Sequence, residues 1–162
     1  MAPRNLEMKF WQAGQDYLAA VERLGLKPKC LFWADDLSLG TKVLVLVTGV
    51  IDVAGPLALS QLLFKAYNGE ATPKEIDPFI VRLHSPQQAV IREIGKFWPF
   101  GVTVRNADGE DITEATVKAD FTVGTLKFDP SWVYRFDKET SPTIDAGRQW
   151  RRFARSVEKL AA

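Results

Sequence analysis

Asp52 and His84 are the side chains in this sequence best suited to acid–base chemistry. Histidine has an ordinary pKa near neutrality, and a neighbouring carboxylate can act with it as a general base. Asp52 follows one predicted strand and His84 ends another, and helix starts are predicted soon after them at residues 55–56 and 85–86. If the strands are parallel neighbours, their carboxyl ends form the edge at which such sheets usually bind ligands. The alternative is that Asp52 and Ser85 only cap helices and that His84 packs beneath a loop.

The C-terminal segment points to a different class of function, because its basic side chains recur at helical spacing. The basic residues are Arg148, Arg151, Arg152, Arg155 and Lys159, and the apolar residues on the opposite side are Ala146, Trp150, Phe153, Val157 and Leu160. We expect the apolar side to dock on the core and the cations to face phosphates or an acidic partner. The alternative is an ordinary surface helix whose solvated side happens to be basic.

Aromatic side chains alternate in the last predicted strand, at Trp132, Tyr134 and Phe136. Alternation places them on one face, which is either packed on the core or exposed as an interface. We therefore include Trp132 and Tyr134 with the basic residues in one predicted binding surface.

Other chemistry finds little support in the sequence. No G-x-x-x-x-G-K-[ST], G-x-G-x-x-G or G-x-S-x-G motif occurs. A single histidine excludes a site with several imidazoles on one metal ion, and Cys30, the only cysteine, is best explained as a small buried hydrophobe. A Cys30–His84 nucleophilic pair has no local support. Asp35 and Asp36 are predicted in a solvated hairpin turn, roughly 30 Å along the strand from Asp52. We expect no cofactor and no metal.

The first half of the chain predicts the elements that position these residues. An apolar stripe from Leu6 to Leu24 predicts an amphipathic helix, capped by Asn5 and ended by Gly25. Residues 29–34 and 42–51 then predict an antiparallel hairpin. Because residues 43–51 are apolar on both faces, this strand should be interior. A helix from residue 55 and a strand at 79–84 complete a predicted right-handed parallel crossover.

The second half predicts a hairpin at Asp108-Gly109, a strand near 117–123, a bulge at Gly124 where the apolar alternation shifts, a strand at 132–136 and the final helix. The predicted fold class is α+β (mixed α/β). It is a single globular domain spanning residues 1–162, with a central mixed sheet, helices packed on it and the order α-β-β-α-β-α-β-β-β-α.

Composition limits the classes of partner. Lys and Arg number 21 against 20 Asp and Glu, so the net charge of +1 gives no global field towards nucleic acid or membranes. The longest apolar run is about half of what a spanning helix needs. We expect a soluble, cytoplasmic protein with no membrane partner. The favoured function is a small non-catalytic interaction protein that binds another protein or a second copy of itself through the C-terminal helix and aromatic strand. The alternatives are a small hydrolase or ligand-binding domain at the Asp52/His84 edge, and a nucleic-acid-binding protein.

Overall fold

Helices and strands are interspersed along the chain, roughly in the order that the sequence predicts. The computed structural model describes residues 3–97, 102–105, 111–114, 121–137 and 144–160. The helices are α1 (Met8–Arg23), α2 (Val50–Ala54), α3 (Pro56–Asn68), α4 (Ala89–Phe97) and α5 (Ile144–Leu160). The strands are β1 (Cys30–Asp36), β2 (Thr41–Val47), β3 (Val81–His84), β4 (Val102–Arg105), β5 (Asp111–Glu114), β6 (Phe121–Val123), β7 (Leu126–Phe128) and β8 (Val133–Phe136).

A mixed sheet of six strands forms the centre of the fold. Its main order is β3-β2-β1-β7-β6, and β8 also pairs with β1. One side of β1 is occupied by β2, while β7 and β8 pair with different parts of β1. All of these pairs are antiparallel except β2 with β3, which is parallel. The predicted α+β class with a central mixed sheet is confirmed.

The interior position of β2 is also confirmed. Its residues Val43–Val47 are all buried, because strands lie on both sides of it and apolar layers cover both faces. The parallel register places Leu44 opposite Val81 and Val47 opposite His84. The predicted parallel crossover therefore exists and runs through α2 and α3.

The end of β2 differs from the prediction. The strand stops at Val47, and the Thr48 hydroxyl then accepts a hydrogen bond of 3.2 Å from the backbone N–H of Val50. This bond satisfies one of the backbone N–H groups in the first turn of α2, which have no partner within the helix. Serine and threonine hydroxyls commonly accept such bonds at the start of a helix. Asp52 consequently lies in the first turn of α2 and not at the end of a strand.

Helix α1 ends as predicted but begins later. Gly25 has φ +103°, and its N–H bonds to the Glu22 carbonyl while the Leu26 N–H bonds to the Val21 carbonyl. This is the Schellman pattern, in which glycine supplies the left-handed residue. The predicted cap is wrong, since Glu7 precedes the first helical residue and Asn5 has a φ of 57° in the segment before it.

The second half contains more strands than predicted. The backbones of β4 and β5 form a separate hairpin in which Arg105 pairs with Asp111, and the turn between them lies outside the described residues. The predicted residues 117–120 also lie outside that part of the chain.

The predicted bulge at Gly124 is wrong. The strands β6 and β7 form a hairpin around Gly124, which has φ +60°, and Thr125. Val123 pairs with Leu126. Directly paired residues project to the same face of a sheet, so a two-residue turn explains the shifted alternation without a bulge.

Aromatic contacts connect the late strands to the early ones. The rings of Phe32 and Phe128 are 5.2 Å apart, and the rings of Phe10 on α1 and Trp33 on β1 are 5.9 Å apart. Phe153 of α5 is fully buried in the same hydrophobic cluster. Among the described helices, none is both long and apolar enough to cross a membrane.

Candidate functional site

The parallel crossover brings the loop after β2 and the loop after β3 to one edge of the sheet. The Ser85 hydroxyl donates a hydrogen bond of 2.8 Å to Oδ2 of Asp52, and it accepts one of 3.1 Å from the backbone N–H of Gln87. A shallow pocket of about 330 Å³ opens beside them. Its lining residues are Ile51, Asp52, Pro56, Ser85, Gln87 and Gln88.

His84 has a different partner from Asp52. Its Nδ1 contacts Oε1 of Gln88, one turn further along the chain. Among the residues that the structure describes, no hydrogen bond or ion pair joins Asp52 with His84. A base and the group that orients it need such a contact. The two predicted residues thus lie at the same edge of the sheet, but they do not form a pair.

The remaining candidates for chemistry are occupied within the fold. Cys30 is buried, and this desolvation raises the pKa of its thiol to about 12, which disfavours the nucleophilic thiolate. Asp35 forms an ion pair of 2.8 Å with Lys42. Asp36 is buried and holds the Ser38 hydroxyl at 2.6 Å, so it is part of the turn's own hydrogen bonding. Within the described ranges, no cluster of three or more His, Cys, Asp or Glu side chains could hold a metal ion.

Helix α5 has one anchored face and one solvated face. Ala146, Phe153 and Val157 are buried, and the helix packs against α2 and α3. The five predicted basic residues are all exposed: Arg148, Arg151, Arg152, Arg155 and Lys159. The two faces follow the 3.6-residue period of the sequence pattern.

These exposed cations have no ion-pair partner among the described residues. Several basic side chains on other surfaces of the molecule do have one. Arg4 lies 3.2 Å from Asp129, Lys42 lies 2.8 Å from Asp35, and Arg135 contacts Glu22. Like charges gathered on one helix face without such partners give that face a positive local field although the chain is nearly neutral.

The two aromatic residues of the predicted binding surface are used inside the fold. Trp132 is 4% exposed, belongs to the short 3₁₀ turn Pro130–Trp132 that precedes β8, and donates its indole N–H to the Arg4 carbonyl.

Tyr134 stacks on Trp11 with ring centroids 4.2 Å apart. Its hydroxyl accepts from Nε1 of Trp33 at 2.8 Å and donates to the Trp11 carbonyl at 2.8 Å. Desolvation raises the pKa of this phenol above its ordinary value. The exposed part of the predicted surface therefore consists of the cations of α5.

A groove that the sequence did not predict connects the sheet edge with α5. A small cavity of about 80 Å³ lies at its centre and shares Asp52 and Gln87 with the edge pocket. It also shares Lys27, Asp145 and Gln149 with a depression of about 240 Å³ on α5. Lys27 comes from the loop between α1 and β1, and its N–H donates to Oε1 of Gln149 at 3.1 Å. No local pattern indicates that a loop at residue 27 meets a helix more than a hundred residues later.

Comparison of the chain with protein-family models, with curated proteins and with solved structures finds no significant match. Its function must therefore be inferred from the chemistry of its own surface.

Proposed function

We propose that this protein is a non-catalytic binding protein that recognises an acidic surface of another protein through the exposed face of α5. One observation carries the proposal: five cations lie on a single helix face without an ion-pair partner among the described residues. Ala146, Phe153 and Val157 on the other side of the same helix are buried, so the cations are presented by a fixed platform.

The physics of such a face favours acidic partners. Arginine forks bind carboxylates through two parallel hydrogen bonds and keep their charge at every physiological pH. An approaching acidic surface also relieves the repulsion between neighbouring cations and is steered by their field. A symmetric dimer through this face is disfavoured, because two basic faces would repel each other.

The sheet edge gives no comparable support for catalysis. Asp52 bonds to Ser85 and His84 contacts Gln88, so each polar group already has a neighbour within the fold. We therefore propose binding and not hydrolysis.

Charge reversal on α5 tests the proposal. The variant Arg148→Glu/Arg152→Glu/Arg155→Glu and the control Lys9→Glu/Lys74→Glu/Arg92→Glu change the net charge by the same amount, and the control residues are exposed on other elements. Wild-type protein and both variants serve as baits in quantitative affinity capture from native cells. Partners lost with the α5 variant and kept with the control are then purified and titrated directly.

The expected result is loss of a specific protein partner from the α5 variant alone, with thermal unfolding close to that of wild type. Equal capture by wild type and the α5 variant would refute the proposal. A mobility-shift titration with a 20-base-pair DNA duplex distinguishes protein binding from nucleic-acid binding by this face. Tight DNA binding that falls steeply with salt and disappears in the α5 variant would assign the face to nucleic acid instead.

A further inference from the structure

Three cations from two separate segments surround one depression on the surface. Lys27 comes from the loop after α1, while Arg148 and Arg152 are one turn apart on α5. The depression has a volume of about 240 Å³, and its other lining residues are Gly25, Asp145 and Gln149. We call it the Lys27–Arg152 pocket.

The backbone at Gly25 fixes one wall of this pocket. A Cβ at this position would lie 2.8 Å from Cγ and 3.1 Å from Cδ of Arg152, so the arginine stem lies directly against the glycine. The φ of +103° also favours glycine here. The stem of Arg152 therefore lies along the loop beside Gly25, and this exposed side chain lines the pocket.

Gln149 fixes the opposite contact between the loop and the helix. Its Oε1 accepts the Lys27 N–H at 3.1 Å, and because a backbone N–H can only donate, the orientation of the amide is determined. The Gln149 NH₂ group has no hydrogen-bond partner among the described residues. It therefore adds neutral donors to a pocket whose charged donors already outnumber its acceptors.

We propose that the Lys27–Arg152 pocket binds a phosphate monoester dianion, carried by a phosphorylated serine of the protein partner. This inference rests on the proposed function, since it names the chemical group that α5 recognises. Three cations against the single carboxylate of Asp145 leave an excess of two positive charges, which matches the charge of a phosphate monoester at neutral pH.

The geometry suits a tetrahedral oxyanion. Two guanidinium groups one helical turn apart supply forked donors, which are the commonest partners of phosphate oxygens. Lys27 lines the same depression from the loop after α1 and carries a point charge. The depression, of about 240 Å³, has room for a phosphate group and its ester oxygen.

Calorimetric titration of the full chain tests the pocket. The probe is the peptide acetyl-Ala-Ala-phosphoserine-Ala-Ala-amide, and the comparison ligands are the same peptide with serine and inorganic phosphate. We expect saturable binding of the phosphopeptide, weaker binding of inorganic phosphate and none of the serine peptide. Arg148→Gln/Arg152→Gln should weaken phosphopeptide binding about tenfold or more, because charge-assisted hydrogen bonds are lost.

A second double variant separates the pocket from the general charge of the helix. Arg151→Gln/Arg155→Gln removes the same charge from α5 but leaves the lining of the pocket intact, and it should weaken binding about threefold at most through the long-range field. Lys27→Gln, an exposed loop substitution, provides a pocket variant that does not alter the helix. Circular dichroism and thermal unfolding establish that each variant is folded.

Several results would overturn the inference. These are no saturable binding of the phosphopeptide, binding of inorganic phosphate as tight as that of the phosphopeptide, or equal losses in the two arginine double variants. They are distinguishable from failure of the proposed function. If the charge-reversed protein loses its partner while the phosphopeptide does not bind, only the pocket is wrong. If the partner is kept after charge reversal, the proposed function is wrong, whatever the phosphopeptide does.

Discussion

The sheet edge after β2 and β3 and the exposed face of α5 both collect polar side chains, but they use them differently. At the edge, Ser85 bonds to Asp52, His84 contacts Gln88 and Thr48 accepts from Val50. On α5, the cations have no ion-pair partner among the described residues. Groups whose hydrogen bonds are made within the chain stabilise the fold, whereas charges without partners are available to a ligand.

This difference reverses the order in which the two regions would usually be considered as functional sites. A histidine and an aspartate at the carboxyl ends of parallel strands suggest a site, and a basic surface helix suggests very little. At the edge, the polar side chains bond to one another and to neighbouring backbone groups, whereas the cations of α5 have no ion-pair partner in the described part of the chain.

The largest expected effect concerns the anchoring of α5. Phe153→Ala should lower the free energy of unfolding by about 3–5 kcal/mol, because Phe153 is fully buried and its loss leaves a cavity. Leu160→Ala on the same helix is the control, since Leu160 is 41% exposed and should cost less than about 1 kcal/mol. Urea denaturation measures both. Equal effects would mean that α5 is not the fixed platform on which the comparison depends.

An intermediate effect is expected at the sheet edge. Ser85→Ala should lower the free energy of unfolding by about 1 kcal/mol, because it removes a buried hydroxyl that both donates to Asp52 and accepts from the Gln87 N–H. Ser60→Ala within α3 is the matched control and should be neutral, since alanine favours helices. Unchanged stability in Ser85→Ala would contradict the comparison, because the hydrogen bonds of the edge would then not stabilise the fold.

The smallest expected effect extends the comparison to the β1–β2 turn. The Ser38 hydroxyl bond lowers the pKa of Asp36, so this carboxylate contributes stability that is present above the ordinary pKa of about 3.9 and is lost as the pH falls through the folded value. Asp36→Asn lacks this contribution. The stability difference between wild type and variant should therefore be greatest at neutral pH and shrink in acid below about pH 4. A difference that stays constant between neutral pH and pH 2.5 in urea denaturation would contradict this assignment.

Strongly periodic segments made the first half of the fold predictable. The stripe of α1, the hairpin of β1 and β2, and the crossover to β3 each follow from spacing and from turn residues. The end of β2 did not follow from these signals. Val50 and Ile51 continue the apolar, β-branched composition of the strand, but Gly49 is the N-cap of α2 and the Thr48 hydroxyl accepts from the Val50 N–H. The strand prediction failed there because the β-branched residues after Gly49 were given more weight than the Thr48-Gly49 break.

The candidate site was predictable only in its local part. Helical spacing identified the cations of α5 because they lie on one element. The role of Lys27 depends on a loop crossing α5 in the folded chain, and the packing of Trp132 and Tyr134 depends on contacts with Arg4, Trp11 and Trp33. These contacts join residues more than a hundred positions apart. Single-sequence patterns carry no information at that range.

The way β1 is shared between its partners has a consequence for the growing chain. β2 follows it after a four-residue turn, but the strands on its other side are residues 126–128 and 133–136. During translation, the backbone N–H and C=O groups on this side of β1 therefore have no partner strand of the same chain. Some ninety further residues must be translated before that strand exists. Open edges of this kind recruit other chains. Until residues 126–136 are translated, this edge of β1 has no strand of its own chain to pair with.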